Sequence, residues 1–144
     1  MAEAMFKYKV ERRGLKNHIV IDSAGTGDWY IGHPPHTGTQ AILKSKGIPC
    51  ADLKGRQLTS EDMRHFDYII AMDQSNVRTV LKYDDLKKEK QICCLLDFVP
   101  EYPFRDVPDP YYTGDFEEVY DLVDAGTDAL LVHLLTECQQ LGVI

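Results

Sequence analysis

The feature that most constrains the fold is a continuous apolar run at residues 68–72, Tyr-Ile-Ile-Ala-Met. A strand that is apolar at every position is typical of a parallel sheet with both faces covered by helices. Residues 92–96 (Ile-Cys-Cys-Leu-Leu) and residues 18–21 predict two further strands. Because helical patterns alternate with these runs, we expect an α/β fold with a mostly parallel sheet.

Helices are predicted where apolar spacing coincides with start and stop signals. At 144 residues the chain is long enough for one domain and too short for two, so we expect residues 1–144 to form a single domain. The predicted helices are an N-terminal one stopped by Gly14, one opened by a Thr37–Gln40 capping box and ended by Gly47, a short one capped by Thr59 and Ser60, one capped by Ser75, and a long one from Asp115 to about Leu141.

Composition excludes several classes of function. The net charge of −7 argues against nucleic-acid binding, which needs a basic surface. No apolar run reaches membrane-spanning length and no signal pattern opens the chain, so we expect a cytoplasmic protein without membrane contact. The four cysteines lack framework spacing and are expected to be reduced. His33 and His36 flank two prolines without a third ligand nearby, so we expect no metal and no other cofactor.

Residues 106–112, Asp-Val-Pro-Asp-Pro-Tyr-Tyr, carry the strongest chemical signal. Two prolines restrict the backbone around Asp109. The two tyrosines that follow could line a pocket and raise the pKa of a nearby acid by desolvation. Such a carboxyl group could protonate a leaving group as a general acid. A proline-rich turn in which the aspartate has only a capping role is the equally weighted alternative.

These residues belong to a set of segments through which the whole chain resembles the low-molecular-weight protein tyrosine phosphatases, bacterial type. The order and spacing of the segments carry the resemblance, since no single one is specific. The matching segments are Met1-Ala2-Glu3-Ala4, Asp22-Ser23-Ala24-Gly25-Thr26, Gly47-Ile48-Pro49, Arg56-Gln57-Leu58, Phe66-Asp67-Tyr68-Ile69, Met72-Asp73-Gln74-Ser75-Asn76 and Asp109-Pro110-Tyr111-Tyr112.

The resemblance implies a fold and a set of roles. The fold would be a three-layer sandwich with a small parallel sheet of strand order 2-1-3-4 and helices on both faces. Asp109 would be the general acid. The walls that accept a phosphorylated aromatic ring would be Trp29, Tyr30, Tyr111 and Tyr112, for which ordinary loop packing is the alternative. Ser23 and Asp73 would support the site from behind.

The chain departs from the family at its start. In the family a first strand leads into a Cys-x5-Arg-Ser-Pro loop, and Met-Ala-Glu-Ala follows directly. Since this sequence begins at that methionine, we expect the strand and the loop, roughly 15 residues, to be absent. The loop binds the phosphate and depresses the pKa of the nucleophilic cysteine. Cys50 and Arg56 share the Cys-x5-Arg spacing, but no strand precedes them and Asp52 would place a negative charge in the cradle.

Three functions remain open at this stage. The first is a tyrosine phosphatase that acts through a cysteinyl-phosphate on a phosphotyrosine protein or a small aryl phosphate, with the literal 144-residue chain inactive or nearly so. The second is a non-catalytic binding module of the same fold. The third is a related arsenate reductase, which the adjacent Cys93 and Cys94 suit poorly because the relay needs separated thiols. An absent first strand would also leave sheet edges exposed, so we expect a homodimer through those edges.

Overall fold

The computed structural model describes residues 1–83 and 92–142. In these two ranges the chain forms an α/β fold. The elements in chain order are α1 (Ala2–Arg12), α2 (Thr37–Ser45), α3 (Ser60–His65), β1 (Ile69–Ala71), α4 (Gln74–Leu81), β2 (Ile92–Cys94), a 3₁₀ helix (Leu95–Phe98), α5 (Pro110–Thr113) and α6 (Phe116–Gln140).

The two longest apolar runs form the parallel sheet, as predicted. Ile69 of β1 lies opposite Ile92 of β2, and Ala71 lies opposite Cys94. The second strand is shorter than the predicted residues 92–96, because the chain enters the 3₁₀ helix at Leu95. Helix α4 follows β1 along the chain and forms the first part of the crossover connection that parallel pairing requires.

The prediction of a strand at residues 18–21 is wrong. His18 ends a turn, and the chain then runs without regular structure to Gly25, which bridges Gln57. Residues 19–21 are β-branched and apolar, but a strand forms only where a neighbouring backbone completes its ladder. None of the described residues does so, and the Val20 side chain is left 75% exposed.

Two helix caps lie closer to the N-terminus than the sequence predicted. Helix α2 is capped by His36, whose ring accepts the Gly38 N–H, and not by a Thr37–Gln40 capping box. Helix α4 is capped by Asp73, which accepts the Asn76 N–H at 2.7 Å, and not by Ser75. The Thr59 cap of α3 is confirmed, with Asp62 completing a capping box.

The main core lies between α1, α6 and the 3₁₀ helix. Met5, Leu96 and Val123 are almost completely buried there. Gly126 of α6 allows the close approach, since a Cβ at this position would lie 2.5 Å from the Leu95 side chain. At the edge of the core Lys9 joins α1 to α6. The acceptors of the Lys9 ammonium are the side chains of Asp124, Thr127 and Asp128.

Arg56 joins three parts of the chain. Its Nε donates to Asp22 at 3.0 Å, and its two terminal nitrogens donate to Asp62 at 2.9 and 3.0 Å. The backbone around it also bonds the loop before α2, because Gly25 N–H donates to Arg56 O and Leu58 N–H donates to Gly25 O. A bidentate ion pair therefore fixes this loop against α3.

We expect Asp62→Asn to destabilise the protein in a pH-dependent way. Burial opposes ionisation of Asp62, but hydrogen bonds from Arg56 and from the Thr59 backbone outweigh it and hold the pKa of this carboxyl below its ordinary value. Because the folded-state pKa is the lower one, the carboxylate stabilises the fold above about pH 4, and this is lost as pH falls through the folded pKa. The variant should lose about 1–3 kcal/mol of unfolding free energy at pH 7.

Urea unfolding at pH 7 and at about pH 3 measures this difference, which should shrink at the lower pH because the unfolded-state carboxyl is then largely protonated and less of the stabilisation by the folded carboxylate remains. Glu61→Gln is the matched control, since the Glu61 side chain is 82% exposed and its pair with Arg64 is a surface one. Equal losses at both pH values would show that Asp62 acts through shape and not through charge.

Candidate active site

The segment that carries Asp109 is attached to the carboxyl end of β1. Val107 N–H donates to Met72 O at 2.8 Å, and the Val107 side chain is buried. Asp106 accepts the Gln74 N–H at 2.9 Å and so bonds the N-terminus of α4. Sites in open α/β folds lie beyond the carboxyl ends of the strands. Residues 106–107 therefore hold the following aspartate at the edge where such a site is expected.

Asp109 begins the single turn of α5. Its Oδ1 accepts the Tyr111 N–H at 3.0 Å, and Pro110 occupies the first helical position, where a missing N–H costs nothing. Gly114, at φ 73°, ends the turn in a left-handed conformation. The carboxyl group is exposed, so the rings beside it do not bury it. Its Oδ2 accepts no hydrogen bond from the residues described, and is open to a ligand.

Three of the four predicted aromatic residues gather around this carboxyl. The rings of Tyr111 and Tyr112 meet edge to face, with centroids 5.2 Å apart. The Tyr30 side chain lies close enough to Tyr111 for the two to interact electrostatically. Partial desolvation, Tyr111 and Tyr112, and the negative charge of Asp109 together raise the pKa of Tyr30 above its ordinary value. Tyr30, Tyr111, Tyr112 and Asp109 thus form one cluster, which we call the tyrosine cluster.

Trp29 lies apart from the tyrosine cluster. Its ring folds back over Gly27, where an added Cβ would fall 1.5 Å from a ring carbon. It is 75% exposed, and across residues 1–83 and 92–142 it makes no ring contact with a tyrosine. The loop that holds Trp29 and Tyr30 is nevertheless tightly attached at Gly55, whose Cβ would meet Tyr30 O at 2.1 Å. Gly32 N–H donates to Gly55 O at 2.8 Å on the same side.

Ser23 and Asp73 lie at two different helix ends. Ser23 Oγ donates to the carboxylate of Glu3, which also pairs with Lys7 on α1. Asp73 caps α4 directly after β1. Asp73 and Asp106 therefore both bond the N-terminus of α4, whereas Ser23 contacts the start of α1 through Glu3.

The thiols of the chain are not prepared for nucleophilic attack. Burial, reinforced by Asp97, raises the pKa of Cys93 and of Cys94 to about 11, so both are protonated at neutral pH. The Cys50–Arg56 spacing forms no phosphate cradle, because both Asp22 and Asp62 occupy the Arg56 guanidinium. One amide between Cys50 and Arg56 is not available for phosphate either, because Gly55 N–H donates to His33 O.

Two further features bear on what the site can bind. A groove of about 570 Å³ runs beside Arg56, between residues 20–22 and α3, and Asp109 does not line it. Its charges are mixed and already paired, with Arg56 bonded to Asp62. In the described ranges no three His, Cys, Asp or Glu side chains converge as metal ligands would. None of the described helices combines the length and the apolarity needed to cross a bilayer.

Sequence reasoning missed His36 as part of this region. Its ring lies against Tyr111, with centroids 6.0 Å apart. The sequence raised His36 only as a metal ligand, although a polar residue that follows two prolines and precedes a helical pattern is a signal for an N-cap. The contact with Tyr111 has no signal in the sequence, since the two residues are far apart along the chain.

Comparison with known proteins identifies relatives over nearly the whole chain. The curated protein YfkJ of Bacillus subtilis, a low molecular weight protein-tyrosine-phosphatase, is 45% identical over 139 residues, covering 96% of this chain and 89% of its own. PtpA of Staphylococcus saprophyticus, named likewise, is 43% identical over 137 residues, covering 95% and 86%.

Solved structures agree with this. The crystal structure of Bacillus subtilis YfkJ matches with a TM-score of 0.91 at 45% identity, covering 94% of this chain and 86% of that one. A protein tyrosine phosphatase from Entamoeba histolytica, with HEPES in its active site, matches with a TM-score of 0.87 at 30% identity, covering 94% and 88%. The family model described as low molecular weight phosphotyrosine protein phosphatase matches residues 1–140. The chain is therefore a member of the low molecular weight phosphotyrosine protein phosphatases, a family of enzymes.

Proposed function

We propose that this protein hydrolyses phosphotyrosine, with Asp109 as the general acid. The observation that carries the proposal is the tyrosine cluster. A carboxyl group with one free oxygen is held beside three tyrosine side chains, at the carboxyl end of β1. A phenolic leaving group needs a proton donor and an aromatic surface at the same point, and this cluster offers both.

The reaction has two steps. A cysteine thiolate attacks phosphorus, forming an S–P bond while the P–O bond to the aryl group breaks, and Asp109 gives its proton to the departing phenolic oxygen. Water then attacks the cysteinyl-phosphate, Asp109 takes the proton from that water, and the thiolate leaves with inorganic phosphate as the other product. Tyr30, Tyr111 and Tyr112 would line the aryl group, with Trp29 able to join them by swinging away from Gly27. Ser23 and Asp73 would support the site from behind.

The nucleophile would come from the family's Cys-x5-Arg loop, because the thiols of residues 1–144 do not suit the role. Cys93 and Cys94 are protonated at neutral pH, and the arginine that follows Cys50 is bonded to two carboxylates. We therefore propose that residues 1–144 by themselves do not turn over aryl phosphates. The same observation supports the second candidate function, a binding module that retains the tyrosine cluster. It disfavours an arsenate reductase, whose relay needs reactive thiols.

The surroundings of the protein follow from its surface and thiols. Substrates would be phosphotyrosine proteins or small aryl phosphates, and neither nucleic acid nor membrane would be a partner. The four cysteines are unpaired, which supports a reducing compartment such as the cytoplasm.

The main core joins α1 to α6, the two ends of the described chain, in support of a single domain. A homodimer would form through residues 19–21, where Val20 is exposed, and through the edge of β1 that no strand of the described residues covers.

A polypeptide of residues 1–144 should not hydrolyse p-nitrophenyl phosphate above background, because it lacks a thiolate in an anion cradle. Release of p-nitrophenol, followed by absorbance, measures this. Cys50→Ser is the matched variant. Turnover that disappears in Cys50→Ser would contradict the proposal and make Cys50 the nucleophile.

In a chain that carries the Cys-x5-Arg loop ahead of residue 1, Asp109→Asn should slow the first chemical step by about 10²–10⁴-fold, the usual contribution of a positioned acid. Phenyl phosphate should suffer more than p-nitrophenyl phosphate, whose leaving group needs little protonation. Asparagine can still accept the Tyr111 N–H, so the melting temperature should hold. Asp115→Asn, at the corresponding cap of α6, is the control. Equal losses for both substrates would assign Asp109 a structural role.

The protein should associate into dimers that Val20→Lys dissociates, since a charge in the exposed apolar segment would have to be buried at the interface. Analytical ultracentrifugation over a range of protein concentrations measures the mass. Val132→Lys is the control, because Val132 is also exposed but lies on α6. A wild-type protein that stays monomeric at high micromolar concentration would refute the dimer.

A further inference from the structure

His36 occupies a fixed position at the start of α2. It follows Pro35, adopts an extended backbone (φ −51°, ψ 144°), and accepts the Gly38 N–H on Nδ1 at 2.9 Å. That bond requires an unprotonated Nδ1 and sets the plane of the imidazole. Gln40 reinforces the turn, since its side chain donates to Pro35 O and its N–H donates to His36 O.

The oriented ring contacts two other helix starts. It stacks on Phe116, the first residue of α6, with centroids 5.1 Å apart and planes 24° apart. It also meets the Tyr111 ring of α5 edge to face, with centroids 6.0 Å apart and planes 87° apart. Both geometries are favourable for aromatic pairs. One imidazole therefore links α2, α5 and α6.

Gly38 makes the stack possible. A Cβ at this position would lie 2.5 Å from two carbons of the Phe116 ring, far inside contact distance. Glycine is unfavourable within a helix, so its presence in the first turn of α2 calls for a packing reason. The close approach of Phe116 to His36 supplies that reason.

Capping alone does not account for a histidine here. Asparagine, aspartate and serine cap helices well without a ring. The ring adds the contact to Tyr111, which donates its N–H to Asp109 and lies close enough to Tyr30 to affect that phenol electrostatically. The position of Tyr111 thus bears on the aromatic wall and on the acid together.

We propose that His36 is a positioning residue that sets the orientation of Tyr111 and thereby the preference of the site for aryl over alkyl phosphates. This rests on the proposed function, in which Tyr111 lines the aryl group. His36 itself touches no reacting atom. Its ring limits where the Tyr111 ring can lie. Because an alkyl phosphate has no ring to contact Tyr111, this limit does not affect how the alkyl phosphate binds.

Two substitutions separate the ring from the cap. His36→Asn keeps an acceptor for Gly38 N–H and removes the ring, whereas His36→Phe keeps a ring and removes the acceptor. In a chain that carries the Cys-x5-Arg loop ahead of residue 1, KM for phosphotyrosine should rise about threefold to tenfold in His36→Asn, the scale of one aromatic pair. KM for an alkyl phosphate such as phosphoserine and kcat for p-nitrophenyl phosphate should stay unchanged. His36→Phe should keep the aryl preference and lose thermal stability.

A second measurement tests the geometry without turnover. In residues 1–144 the ring-proton NMR shifts of Tyr111 should move in His36→Asn and hold more closely in His36→Phe. Gly38→Ala should move them too, because it displaces Phe116 and so removes the ring on which His36 stacks, and it serves if the other variants fold poorly.

The outcomes separate this proposal from the proposed function. Equal rises in KM for aryl and alkyl phosphates, or unchanged Tyr111 shifts in His36→Asn, would overturn the role of His36. A wild-type enzyme without any aryl preference would overturn the proposed aromatic wall, and with it the specificity assigned to His36. The Tyr111 shifts would then still decide whether His36 positions that ring.

Discussion

The site depends on how residues 106–107 are bonded to the end of β1. An exposed loop between the 3₁₀ helix and α5 would by itself sample many positions, since chain entropy opposes any single one. The backbone bond from Val107 to Met72, the burial of the Val107 side chain and the Asp106 cap on α4 remove that freedom at one point. This attachment also restricts the position of Asp109, two residues later. The sheet therefore helps to determine where the carboxyl group lies.

The aromatic side of the site is fixed by a separate set of bonds. The loop of Trp29 and Tyr30 is bonded to residues 55–58 through the backbone, and Arg56 adds its two carboxylate partners. The two halves meet where Tyr30 lies near Tyr111. Each half of the tyrosine cluster therefore has its own support. If the cluster binds an aryl phosphate as proposed, these supports would reduce the ordering cost of binding.

The sequence predicted the parts of the fold in which local pattern and tertiary environment agree. Residues 68–72 are apolar throughout, and their centre, Ile69–Ala71, forms a parallel strand in which Ala71 is buried and the two isoleucines are partly buried. Residues 18–21 have the same local preference, but a strand also needs a partner, which propensity cannot report. The sequence predicted the caps of α2 and α4 at Thr37 and Ser75, slightly after the observed caps at His36 and Asp73, because threonine and serine are equally good caps.

For the site, spacing along the chain was uninformative. Tyr30 and Tyr111 are brought together by the fold, so their proximity could be expected only from the family resemblance. The backbone attachment of the Trp29–Tyr30 loop at Gly55 has a consequence for divergence. A side chain at Gly55 would collide with Tyr30 O, and the hydrogen bonds that attach the loop there join backbone atoms. If the rings select a substrate as proposed, evolution can exchange them while these backbone bonds keep the loop in place.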